Sequence, residues 1–316
     1  MNRLTIPVLR SPGGAVEVQG HRGAGGLRPE NTLAGIACAL EVGVTSIECD
    51  VVLSVDGAVV LSHDGLVPDA DGSRAVAALP LTELRRFDLG QDRVRELAEP
   101  AFRAEPGLRM ATLGSALALI ELFGAGDVRL DVEVKSARHL EPGWDAAHVV
   151  AQVVAQMEAF GAVGGCSLRS FDLEVLVQAR RQCPDLGRVL LVGALADDVP
   201  AELAIEADVP VGVVTAMAEQ VDAVAIAPGT ALLTPALVHA AHEDGLPVIP
   251  WTVNDATTAR RLLELGVDGI CTDRPDLVRA VVAGLGLPLP PRHRAPQWLG
   301  YGWAAWPDGV READAS

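Results

Sequence analysis

Short runs of β-branched residues alternate along the chain with Ala- and Leu-rich stretches of helical period, the pattern of successive βα units. Eight runs carry the strand signal: "AVEVQ", "TSIEC", "VRLDVEV", "VGGCSL", "GRVLLV", "VDAVAI", "LPVIPWT" and "VDGICT". Between them lie amphipathic segments such as "NTLAGIACALEVG", "AAHVVAQVVAQMEAFG", "FDLEVLVQARRQC", "TPALVHAAHEDG" and "DATTARRLLELG", several closed by the glycine that helix C-termini favour. Eight units predict an α/β protein of the (β/α)8 TIM-barrel class over residues 15–282. The rhythm breaks twice. A Pro- and Gly-punctuated insertion after the second strand occupies 66–107, at the barrel end where this fold carries its active sites, and a Pro/Trp-rich tail occupies 288–316. The tail holds three of the five tryptophans and the single tyrosine, so it is expected to pack on the barrel or to join copies into a homo-oligomer.

Composition narrows the picture. Apolar residues make up 49% of the 316, aromatics only 3%, so the core must be built from Ala, Val and Leu. The net charge of −17 excludes binding of nucleic acid by a broad basic surface, since such affinity comes from Lys and Arg neutralising phosphates. Any anionic ligand must meet local cations. The five cysteines are scattered without a C-x-x-C pair and read as reduced, mostly buried thiols. With no apolar run of membrane-spanning length and no signal-peptide pattern, a cytoplasmic protein without integral membrane association is expected.

The candidate chemistry begins in "SIECDVVLSVDGAVVLSHD". Asp56-Gly57 signals a two-residue hairpin loop, which places Val55 opposite Ala58 and, counting outward, Asp50 opposite His63. Opposed residues have Cβ atoms roughly 4.5–5.5 Å apart. Glu48 shares the face of Asp50, while Cys49 points the other way as a core thiol. In "LDVEVK" Asp131, Glu133 and Lys135 alternate onto one face, and charges pointing into a barrel lumen are costly unless paired or bound to metal. Glu48, Asp50 and Glu133 are therefore candidate ligands for one divalent cation, Ca2+ or Mg2+, and Lys135 a cation for a substrate oxyanion. At the end of the first strand His21 offers a titratable group and Arg22 a planar phosphate grip. The stretch "HRGAGGLRPENT" matches neither glycine-rich phosphate loop: the last glycine of G-x-G-x-x-G is Arg28 and no Lys-Ser/Thr follows. Its glycines serve a tight turn, with a helix starting near Glu30 or Asn31. Asp64 either orients a histidine or approaches the metal, a turn or cap explaining it as well. Asp273 caps the turn after the last strand, and His139, His148, His239, His242 and His293 are surface or helix residues.

With these residues in hand the chain resembles the glycerophosphodiester phosphodiesterase family. "GHRG" with "PENT", "ECDV" with "DGAVVLSHD", "VEVK", "RSFD", "WTVND" and "GVDGICTDRPD" stand in family order over roughly Val16 to Ala280. The resemblance implies a barrel with a small insertion, and hydrolysis of a glycerophosphodiester substrate to glycerol 3-phosphate and an alcohol. It makes His21 and His63 the acid/base pair, Glu48, Asp50 and Glu133 the metal ligands, Arg22 and Lys135 the phosphate grip, and Trp251 a wall of the site. Two other readings stand beside it. A lysophospholipase D needs an apolar groove, for which Leu66, Leu79, Leu81, Leu84 and Leu89 are the available residues. A non-catalytic binding protein on the same barrel would be expected to have lost a histidine or a carboxylate. A metal-dependent amide hydrolase, a third option, wants a His-x-His pair on the first strand, where only His21 stands.

Overall fold

The computed structural model describes residues 15–69, 72–91, 95, 98–136, 144–193 and 210–295. His139 and most of the Pro/Trp-rich tail, including Trp298, Tyr301, Trp303 and Trp306, lie outside the described residues. Strands β1 (Glu17–Gly20), β2 (Ser46–Leu53), β6 (Arg129–Val134), β7 (Cys166–Ser170), β8 (Gly187–Val192), β9 (Ala225–Pro228) and β10 (Gly269–Thr272) form one parallel sheet in the order β10-β1-β2-β6-β7-β8-β9. Segment 247–253 closes it into a barrel. On one side the Ile249 amide donates to the Ile226 carbonyl (3.0 Å) and the Trp251 amide to Pro228 (3.1 Å); on the other the Cys271 amide donates to Pro250 (3.0 Å) and the Val253 amide to Cys271 (3.0 Å). Pro247 and Pro250 have no N–H to give, which leaves this stave a chain of bridges in place of a continuous ladder. All eight expected strand segments are thus staves of the barrel.

Helices α1 (Leu33–Val42), α3 (Leu113–Leu122), α4 (Ala146–Ala159), α5 (Leu173–Gln182), α6 (Val211–Gln220), α7 (Pro235–Glu243), α8 (Ala256–Leu265) and α9 (Pro275–Gly284) follow staves in turn, and a one-turn α2 (Leu81–Leu84) lies in the insertion. Their starts are set by side chains: Thr32 Oγ accepts from Gly35 N at 3.1 Å, and Asp255 Oδ1 from Thr258 N at 2.8 Å. The first helix therefore begins at Leu33, two to three residues later than expected, because Thr32 is the cap. The outer core between sheet and helices is Val, Leu, Ala and Ile, with Cys49 in it as expected; all five cysteines are unpaired.

The lumen is divided by chemistry. Val189, Leu191, Ala225, Ala227, Ile249 and Cys271 make one apolar side. Gln19, Ser46, Glu48, Asp131, Glu133, Ser167 and Arg169 line β1, β2, β6 and β7 as buried polar groups. Every described one of these staves delivers its polar residues at alternate positions, so register stacks them in rows: Asp50 beside Glu133 beside Arg169, and one layer below Glu48 beside Asp131 beside Ser167.

The β2 hairpin differs from expectation by one residue. Its return strand β3 (Val59–Leu61) pairs Val51 with Leu61 and Leu53 with Val59, and the Ser62 amide donates to Asp50, so Asp50 faces Ser62 and not His63. The loop has three residues, Val55, Asp56 and Gly57, with Gly57 left-handed at φ 80°. Asp56 is held there because its carboxylate accepts from Leu81 N (3.1 Å) at the start of α2. The insertion adds a small two-stranded sheet, β4 (Leu66–Asp69) with β5 (Gly72–Ala75). It has its own core of Val60, Val67, Val76, Leu79, Leu84 and Met110.

The loop after β1 is packed tightly against the start of α1. Arg22 (φ 52°) and Gly23 (φ 87°) are both left-handed, and a Cβ on Gly23 would stand 2.6–2.8 Å from the Gly35–Ile36 backbone. Gly23→Ala is expected to destabilise the fold by about 2–4 kcal/mol, strain adding to overpacking, measurable by urea denaturation.

Candidate active site

Two neighbouring staves, β2 and β6, carry three carboxylates toward the C-terminal mouth of the barrel. Glu48, Asp50 and Glu133, all buried, each offer one oxygen, and these oxygens lie within 4.8 Å of one another. The i, i+2 spacing on β2 puts Glu48 and Asp50 on the lumen face, and the parallel register brings Glu133 level with Asp50. Burial and the Asp50 charge push the Glu48 carboxyl up to about 7. Burial also opposes the charge on Asp50, but the cations of Lys135 and Arg22 outweigh it and hold that carboxyl well below the usual range.

The cations expected from the sequence surround this trio. Lys135 Nζ lies 2.9 Å from Asp50 Oδ1 and 2.5 Å from Glu133 Oε1. Arg22 donates from Nη1 to Glu30 Oε1 (2.7 Å) and sets Nε 3.4 Å from Asp50 Oδ2, while its backbone N–H donates to Glu48 Oε2 (2.9 Å). Asn31, also left-handed at φ 53°, clasps Asp50 by donating Nδ2 to Oδ2 (2.8 Å) and accepting the Asp50 amide (3.0 Å).

Both expected histidines reach the same mouth. His21 directs Nε2 toward Glu48 Oε2 at 3.9 Å and places Nδ1 2.8 Å from Asp273 Oδ1. Burial works against its charge, yet Asp273 and Glu48 together raise its pKa above the ordinary value. Asp273, expected to be a turn cap, is thus a partner of His21: the β1–β10 ladder pairs Gly20 with Thr272 and makes His21 and Asp273 the next neighbours. His63 lies beyond the end of β3, half-exposed, with Nδ1 2.5 Å from Asp64 Oδ1; its charge is among those acting on Asp50. Trp251 donates its indole N–H to the Ala227 carbonyl (2.8 Å) and meets Phe171 edge-on, centroids 5.4 Å apart, at the top of the apolar side of the lumen.

The pattern of the glycerophosphoryl diester phosphodiesterase family matches residues 21–277. The chain belongs to this family. A glycerophosphodiester phosphodiesterase of Caldanaerobacter subterraneus subsp. tengcongensis is 28% identical over 81% of this chain and 93% of its own length. A solved structure from Silicibacter pomeroyi, named for the same family, superposes with a TM-score of 0.77 at 31% identity, covering 89% of this chain and 98% of that one. A phosphodiesterase of Oleispira antarctica, solved with the product sn-glycerol-3-phosphate, shares the fold at a TM-score of 0.67 and 24% identity over 85% and 97% of the two chains.

Arg169 and Cys271 are among the lumen residues to which the sequence reading assigned no role in the site. Arg169 is buried, donates Nη1 to Gln19 Oε1 (2.7 Å) and leaves Nε without a hydrogen-bond partner. Its signal lay in "CSLRSFD", where Ser167 and Arg169 alternate with an outward Leu168. Cys271, on the apolar side, had none. The carboxylate trio fits a hard divalent cation: its donors are all oxygens, and Glu48 Oε1 is a buried acceptor with no hydrogen-bond partner.

Proposed function

We propose that this chain hydrolyses glycerophosphodiesters, such as glycerophosphocholine or glycerophosphoethanolamine, to glycerol 3-phosphate and an alcohol. In this reading Glu48, Asp50 and Glu133 hold one divalent cation, Ca2+ or Mg2+, and His21 and His63 serve as acid and base. The observation that carries it is the convergence of three buried carboxylates, two histidines and two cations on one barrel mouth. When bound, the cation supplies positive charge to the phosphate oxygens and the attacking oxygen. Arg22 and Lys135 hold the phosphoryl oxygens in place. The neighbouring glycerol hydroxyl attacks phosphorus, one histidine taking its proton while the other protonates the departing alkoxide; water then opens the cyclic phosphate with the roles reversed.

The lysophospholipase D reading is not favoured. Of the leucines available for an apolar groove, Leu79 and Leu84 fill the core of the insertion, Leu81 and Leu89 pack against it, and only Leu66 is exposed. The non-catalytic reading is not favoured either, since every residue it would be expected to lose stands at the mouth. Among the described residues no helix is long and apolar enough to cross a membrane.

A glycerol-3-phosphate-coupled assay on a diester panel, run with EDTA and with Ca2+ or Mg2+ added back, tests the reading. Release from glycerophosphocholine or glycerophosphoethanolamine, abolished by EDTA and restored by one of the ions, is the expected result. Inactivity on the whole panel with every common divalent ion would sink it. Faster turnover of lysophosphatidylcholine than of glycerophosphocholine would return the lysophospholipase D.

A further inference from the structure

The two candidate histidines are held very differently. His63 leans on Asp64, whose side chain is 74% exposed, so water competes for that bond. His21 leans on Asp273, whose side chain is 16% exposed and gripped from other directions. Asn254, the residue that follows the irregular stave, donates Nδ2 to Asp273 Oδ2 (2.6 Å) and accepts the Asp273 amide at Oδ1 (2.9 Å). The same Oδ1 takes the Thr272 hydroxyl at 3.2 Å. On the opposite side the Gly26 amide donates to the Asp273 carbonyl (2.9 Å), and a Cβ on Gly25 would stand 3.0 Å from Asp273 Oδ1. Asp273 therefore keeps its rotamer with one carboxylate oxygen committed to Asn254 and the other aimed at His21.

A carboxylate only accepts hydrogen bonds, so the nitrogen it faces must carry a proton. In the neutral ring that leaves Nε2 as the bare nitrogen, and Nε2 is the one turned toward the metal carboxylates. We infer that Asp273, clasped by Asn254, is a positioning residue that fixes His21 in the Nδ1-protonated tautomer with Nε2 directed into the reaction centre. The inference rests on the proposed role of His21 in proton transfer. The arrangement assembles three loops distant in sequence, after β1, after the irregular stave and after β10, so the ring orientation depends on barrel closure at its weakest ladder.

The substitution Asp273→Asn tests it, because the amide can present an N–H to His21 Nδ1 and so favours the other tautomer. Expected are a loss in kcat of about 100- to 10,000-fold with KM within about threefold of the original. Nitrogen-15 NMR of His21 in alkaline buffer should show the proton on Nδ1 in the unmodified protein and on Nε2 in the variant. A kcat within threefold of the original, a KM rising in parallel with the loss, or an unchanged tautomer overturns the inference. If Asp273→Asn does not fold, Asn254→Ser leaves both partners in place: about a tenfold loss in kcat with mixed His21 tautomers is expected, and unchanged turnover with a single tautomer overturns the inference. If the unmodified protein hydrolyses no diester, the proposed function fails while the NMR arm still decides, since a proton on Nε2 in that protein overturns the inference alone.

Discussion

His21→Ala is expected to lower kcat on a glycerophosphodiester by about 100- to 10,000-fold, with little change in thermal midpoint, because positioned acid/base groups contribute on that scale. The ring is largely buried between Glu48 and Asp273, and no other imidazole among the described residues faces Glu48. His63→Ala should cost a similar factor, with one difference. The His63 side chain is a third exposed, so added imidazole can enter the space it vacates and restore part of the turnover. Steady-state kinetics with and without imidazole check both. Turnover within tenfold of the original in either variant would remove that histidine from the mechanism.

Asp50→Asn should weaken divalent-cation binding by at least about 100-fold, since even partners behind metal ligands cost 10- to 100-fold when changed. Asp50 is the proposed ligand on which Asn31, Lys135 and Arg22 all converge, so its charge, with those of Glu133 and Glu30, holds those two cations in the mouth. Isothermal titration calorimetry measures the loss directly. The same experiment carries a pH dependence. With the Glu48 carboxyl raised to about 7, binding near pH 6 must expel its proton, so affinity should climb as pH rises toward about 7 and then level off. The metal-free protein should follow the opposite trend in stability. A carboxyl whose folded pKa exceeds its unfolded value of 4.5 costs nothing below that value and its full penalty above about 7, so the thermal midpoint should fall across this window. A divalent ion should cancel the fall. A midpoint flat in pH, or affinity independent of it, would place Glu48 outside the metal set.

The parts of the site that were legible in the sequence are those encoded locally. Glu48 and Asp50 two apart on an otherwise apolar strand, and Asp131, Glu133 and Lys135 in strict alternation, identify a lumen face without knowledge of which strands are neighbours. The hairpin shows the limit of such reasoning. Asp56-Gly57 is compatible with loops of two or three residues, and the choice is made by Leu81 N, 25 residues further on, which donates to the Asp56 carboxylate. A one-residue shift in register exchanges the faces of a strand, so Ser62 took the place expected of His63. His63 still reaches the mouth, carried by the chain after β3.

By itself the sequence determined the repeat of eight βα units, the face on which each stave carries its charges, and the order of motifs that places the chain in its family. Those follow from side-chain period and local turn chemistry, which need no distant partner. Only the tertiary structure decided which groups meet: Asp273 against His21 across 252 residues, Asn254 behind it, Arg169 beside Glu133, and Leu79 and Leu84 of the insertion turned into its own core. Barrel closure sets those contacts, because it is the pairing of β1 with β10, and the seam at 247–253, that brings the first and last loops of the domain to one mouth.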